Sequence, residues 1–170
     1  MLVSLSAGSR AAAASGASPH PRRPSRKPTT PDNGGDGVLV SVGVGNTLTS
    51  NSIFANAALG IALSNGGNND LAAPNLLTAV VTGSTLTVTG SVTAPTANVS
   101  YVLEFFANPS GDAEGKIYLR SLTVTPTSTG TQNFTFNTTT TVTGTYPLIT
   151  ATLTDNTGDT SQFSSGVTVT

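Results

Sequence analysis

Few side chains in this sequence are equipped for chemistry, and the carboxylates among them gather in two places. Asp112 and Glu114 sit together, with Glu104 a short way upstream; Asp155 and Asp159 flank Asn156 near the C-terminal end. Paired oxygens in a loop suit calcium, which takes ~6–8 oxygen ligands, yet neither group supplies that many from side chains alone. Asp155-Asn-Thr-Gly158 is equally an ordinary turn signal. Asp112, Glu114, Asp155 and Asp159 therefore stand as calcium candidates, with solvated turns as the competing reading. Used as a glycosidase acid–base pair, they would need a spacing across the fold that spacing along the chain does not give. His20, the single histidine, lies in a Pro- and Arg-rich stretch, where a Ser–His–Asp triad would need a disordered tail to dock accurately. There is no cysteine, no phosphate-binding Gly-Lys-Ser/Thr loop and no HExxH motif. No catalytic residue and no organic cofactor is expected. Tyr101, Tyr118 and Tyr146 could stack on a sugar, although scattered tyrosines more commonly cap a core.

The 170 residues are enough for about one domain and a tail. Only 9% of them are charged, against roughly 25% in an average soluble domain. Five of the seven basic residues (Arg10, Arg22, Arg23, Arg26 and Lys27) precede residue 28, and five prolines crowd residues 19–31. Residues 1–37 lack apolar periodicity and read as a disordered, basic, Pro-rich leader that cannot offset its ordering entropy by burial. Its start lacks a basic n-region and its Ala run is broken by Arg10, so no export signal is evident. From Val38 onward six acidic residues face two basic ones, a net charge of −4. Such a body has no attraction for phosphate backbones, which excludes nucleic acid. No run of about 18 apolar residues occurs, so no membrane span is expected.

Elements of one type must position these residues. Thr occurs 28 times between Val38 and Thr170, repeatedly alternating with Val, Leu, Ile or Phe, as in Thr85-Leu-Thr-Val-Thr89. Thr is β-branched and its hydroxyl suits the wet face of a half-buried strand. Strands are expected near 75–82, 84–93, 98–107, 116–125, 131–137, 147–154 and 161–170, separated by Gly-, Pro-, Asn- and Asp-bearing turns. About seven short strands without helical periodicity predict an all-β fold, an immunoglobulin-like β-sandwich over 75–170.

Residues 38–66 follow another pattern. Val38, Val40, Val42 and Val44 alternate with small residues, then Asn46, Asn51 and Asn56 recur every fifth position among Leu48, Ile53, Phe54, Leu59, Ile61 and Leu63. Regularly spaced Asn suits the corners of a β-solenoid, because it bonds its own backbone and tolerates left-handed geometry. The run Asn51–Leu63 resembles the last coil of the right-handed parallel β-helix repeat proteins of bacteria. The polar stretch Asn65–Asn75 resembles the linker of that family. Phe105-Phe-Ala-Asn-Pro109, Ala113-Glu-Gly115, Tyr118–Ser121 and Ala151–Ser164 resemble its C-terminal sandwich module. The resemblance spans about 51–170.

It implies a β-helix terminal-coil remnant at 38–66, a linker at 67–74 and the sandwich at 75–170. Solenoids normally need about three stacked coils or more. One or two are present, so the expectation is a piece of a longer protein whose extended binding groove is mostly missing. Polysaccharide-active β-helices use charged residues on adjacent coils, and 38–66 contains none. The resulting expectation is a non-catalytic structural or adhesion-type module of an exported or cell-surface bacterial protein. Its partners would be the rest of a β-helix protein or another surface protein or glycan. The alternatives are a carbohydrate-binding module and a fragment of a β-helix polysaccharide-active enzyme.

Overall fold

A computed structural model describes residues 3–5, 33–139 and 144–170. The expected disordered leader lies mostly outside these residues. Its last part does not: Asn33 is buried and bridged to Asn56.

The fold is all-β, and two antiparallel sheets form its bulk. One has the order β4 (Asn75–Thr82), β5 (Thr85–Ala94), β8 (Gly130–Thr139). The other runs β10 (Val167–Thr168), β9 (Leu148–Thr154), β6 (Tyr101–Asn108), β7 (Ile117–Val124). The period-two pattern sets the inward faces. Leu86, Val88, Phe134 and Phe136 from the first sheet meet Leu103, Phe105, Ile149, Ala151 and Leu153 from the second in one buried cluster. Phe105 stacks on Phe136 with centroids 3.9 Å apart and meets Phe134 edge-on. On β5 and β8 the alternate positions are Thr, Ser and Asn and face outward, as their hydroxyls and amides favour.

β6 and β9 depart from that alternation because both of their faces are covered. Glu104, Phe106 and Asn108 on β6 are buried, as are Thr150, Thr152 and Thr154 on β9. Their cover comes from residues 33–70 and from the stretch after β9.

The last expected strand, 161–170, is corrected by the structure. Only Val167 and Thr168 pair with β9 in the ordinary way. Across 161–164 serine hydroxyls replace carbonyls: Leu153 N–H donates to Ser161 Oγ and Ala151 N–H to Ser164 Oγ, each at 2.9 Å. The serine N–H groups return bonds to the Leu153 and Ala151 carbonyls.

Residues 33–70 wind on the outer face of the second sheet. β2 (Val38–Val40) pairs in parallel with β3 (Ile61–Leu63), Val38 opposite Ile61 and Val40 opposite Leu63. The parallel bridge Asn33–Asn56 keeps the same offset. β1 (Val3–Leu5) pairs antiparallel with the other edge of β2. Val38, Val40, Ile53 and Ile61 form a second small core. The expected linker is a tight turn: Asn65, Gly66, Asn68, Asn69 and Asp70 all have positive φ, a region that Asn and Asp tolerate better than other side chains.

Candidate functional site

The polar side chains singled out in the sequence line a seam between the 33–70 coil and the sandwich. The five-residue spacing builds the coil's side of it. Gly45, Ser50 and Ala55 have φ of 73°, 53° and 58°, and each immediately precedes one of the regularly spaced asparagines. A left-handed corner turns its N–H out of the local ladder, where it needs an acceptor. The sandwich supplies a carboxylate to each. Gly45 N–H donates to Asp159 Oδ1, Ser50 N–H to Glu104 Oε2 at 2.8 Å, and Ala55 N–H to Asp112 Oδ2 at 3.1 Å. Asn56 donates to Glu114 Oε2 twice, from its N–H at 3.2 Å and from Nδ2 at 3.0 Å.

Two asparagine relays cross the same seam with one polarity. Asn33 Nδ2 donates to Asn56 Oδ1 at 2.8 Å, and Asn56 Nδ2 donates onward to Glu114. Asn46 Nδ2 donates to Asn68 Oδ1 at 2.9 Å, and Asn68 Nδ2 donates onward to the Thr160 carbonyl at 2.9 Å. Each relay passes from one strand layer of the coil to the next and ends on an acceptor of the sandwich. Asn69 Nδ2 adds a bond to Asp159 Oδ2, and Leu48 N–H one to Thr160 Oγ1. A two-way backbone bridge joins Ile53 and Gly115.

The seam has an apolar plug. Phe163 meets Phe106 edge-on at 5.4 Å, and a Cβ on Gly115 or Gly60 would lie 2.5 or 2.8 Å from the Phe163 ring. Only glycine lets both backbones approach that ring. Lys116 Nζ lies 4.6 Å from the centroid of Phe54.

The electrostatics follow from burial among neutral groups. Residues 38–66 carry no charge, so the carboxylates meet N–H dipoles and no cation from that segment. Burial pushes the Glu104 carboxyl above its ordinary range, against the lowering effect of the Ser50 bonds. Burial raises Glu114 further, to about 7; the Asn56 bonds oppose the rise and the neighbouring Asp112 reinforces it.

Of the four calcium candidates, Asp112 and Glu114 stand side by side under the coil, and Asp159 lies under Gly45 and Asn69. Asp155 accepts from Thr157 N–H and Oγ1 and from Asp159 N–H, closing its own turn. Among the described residues no group of three or more His, Cys, Asp or Glu could hold a metal ion. The tyrosines do not share a face. Tyr101 is 1% exposed and its hydroxyl bonds Thr96, Tyr118 leans on Phe106 from β7, and Tyr146 is half-buried beside Lys116. His20 lies outside the described residues.

Reading the sequence alone missed Ser50, Asn68, Thr160, Ser161 and Ser164. The signal for Asn68 was available: Asn33 and Asn56, and Asn46 and Asn68, recur at nearly one offset. No protein-family model matches the sequence, and no curated protein is significantly similar to it.

Proposed function

We propose that this chain is a non-catalytic structural module in which an immunoglobulin-like sandwich terminates a parallel β-coil. The carrying observation is the shared polarity of the two asparagine relays, whose last donors are taken by Glu114 and by the Thr160 carbonyl. A coil edge covered by an apolar surface would leave those donors and the left-handed corner N–H groups unsatisfied, and an unsatisfied buried donor costs ~1–3 kcal/mol. The sandwich acts as a cap whose carboxylates are matched to the coil corner by corner. The strand order β4-β5-β8 against β10-β9-β6-β7 supports the immunoglobulin-like assignment. The 33–70 coil, with its constant parallel offset and asparagine stacking, supports its reading as the terminal turn of a right-handed β-helix.

The Cys-free, Thr-rich, weakly charged chain fits an exported or cell-surface protein. Its partner is then the body of a β-helix protein, or another surface protein or glycan.

The test is to replace Glu104 and Asp159 together by Ala and follow backbone amide exchange. The cap reading expects amides of residues 45–59 to lose protection while β5 and β8 keep theirs. Unchanged protection in 45–59 would refute it.

A further inference from the structure

Asp112 and Glu114 meet in a way that the cap reading alone does not require. Glu114 Oε2 accepts from the two Asn56 donors, and Asp112 Oδ2 accepts from Ala55 N–H. Glu114 Oε1 is buried and has no donor, while the Asp112 carboxyl lies within hydrogen-bond reach. Glu114 is buried and Asp112 half-buried, and two carboxylates held this close repel each other unless one carries a hydrogen. We propose that Asp112 and Glu114 share one proton and act together as a pH-operated latch on the seam, closed while the pair holds that proton and loosened when both carboxyls ionise. The inference rests on the cap reading, since the latch acts through the same corner, Ala55–Asn56.

The surroundings leave the proton to this pair. The coil packed above brings two carboxyls, Asp36, which accepts from Leu59 N–H, and Asp70 in the turn after β3; residues 38–66, β9 and the 160–166 stretch bring no charged side chain. Lys116 directs its ammonium to the Phe54 and Tyr146 rings, and Glu104 is engaged by Ser50. The sign follows from linkage. Glu114 titrates near 7 in the fold and near its ordinary 4.5 when unfolded. Between those values the folded chain holds a proton that the unfolded chain has released, so stability is full below about 4.5 and falls as pH rises through about 7. Glu104, raised by burial as well, contributes with the same sign.

The experiment compares the full chain with Glu114→Gln and Asp112→Asn, reading thermal midpoints and protection factors at Ala55 and Asn56 from pH 4.5 to 8. Both replacements are isosteric. In Glu114→Gln the new amide would offer a hydrogen to Asp112 while still accepting from Asn56. In Asp112→Asn the new amide would offer one to Glu114 while still accepting from Ala55. The wild-type chain is expected to lose protection at both backbone amides by on the order of 10- to 100-fold across this range, with a falling midpoint. Glu114→Gln should show a much flatter profile, keeping only the Glu104 part, and Asp112→Asn an intermediate one, because burial still raises the Glu114 carboxyl. A wild-type protection that does not change with pH, or variants that retain the wild-type slope, would overturn the latch and leave the cap intact. Absence of protection at Ala55 and Asn56 at every pH in all three chains would overturn the docking itself, and the latch with it.

Discussion

At the scale of single residues, the seam depends most on Asn68. It is wholly buried, and its amide accepts from Asn46 N–H and Nδ2 and donates to the Asn46 and Thr160 carbonyls. An Asn68→Ala replacement strands donors and acceptors on both sides in a dry place, so a loss of about 2–4 kcal/mol is expected from denaturant midpoints. Ala55 carries the opposite sign. It is held at φ 58°, where an L side chain other than Asn or Asp is strained, and its contribution to the seam is its backbone N–H. Ala55→Gly keeps that donor and relieves the conformation; a gain of about 0.5–1 kcal/mol is expected by the same measurement.

At the scale of elements, how far the sequence could be read depended on what covered each strand. Thr85, Thr87 and Thr89 on β5 behave as their chemistry suggests, outward and away from the core. Thr150, Thr152 and Thr154 show the same alternation on β9 and are buried, because a second layer lies over that face. Period two reports which residues share a face; it does not report what that face meets. β6 gave a better hint, since Tyr101–Asn108 is almost continuously apolar, as strands buried on both sides are. Six of the seven expected strands fall within a few residues of those observed. The seventh was shortened by serine hydroxyls standing in for carbonyls, a substitution no propensity records. Those hydroxyls are testable. Ser161→Ala and Ser164→Ala each leave a buried β9 N–H without its acceptor and should cost about 1–3 kcal/mol apiece. Exposed Ser165→Ala serves as the control, with an expected change within ~0.5 kcal/mol.

At the scale of the whole molecule, carboxylates that read in the sequence as solvated turns or calcium ligands accept hydrogen bonds that join two β structures. Asp112, Glu114 and Asp159 already accept from the coil, so calcium would have to compete with those bonds. The unfolding midpoint of the full chain is expected to be the same with millimolar calcium and with a chelator; a calcium-dependent rise would show a binding mode these partners do not provide. Because the fastening combines polar bonds with one aromatic plug, the coil and the sheets should unfold together, and Gly115 is the place to separate them. A methyl group there would lie 2.5–2.6 Å from the Phe163 ring, while the Gly115 N–H and carbonyl form the bridge to Ile53. Neither contact can shift without opening the other. Gly115→Ala is therefore expected to cost about 1–3 kcal/mol, as overpacking does. It should also split the single calorimetric transition in two, the coil melting first. Phe163→Ala in the same background removes the clash. If steric pressure on the ring is the cause, the double variant should be less destabilised than the sum of the two single changes, a coupling that a double-mutant cycle reads directly.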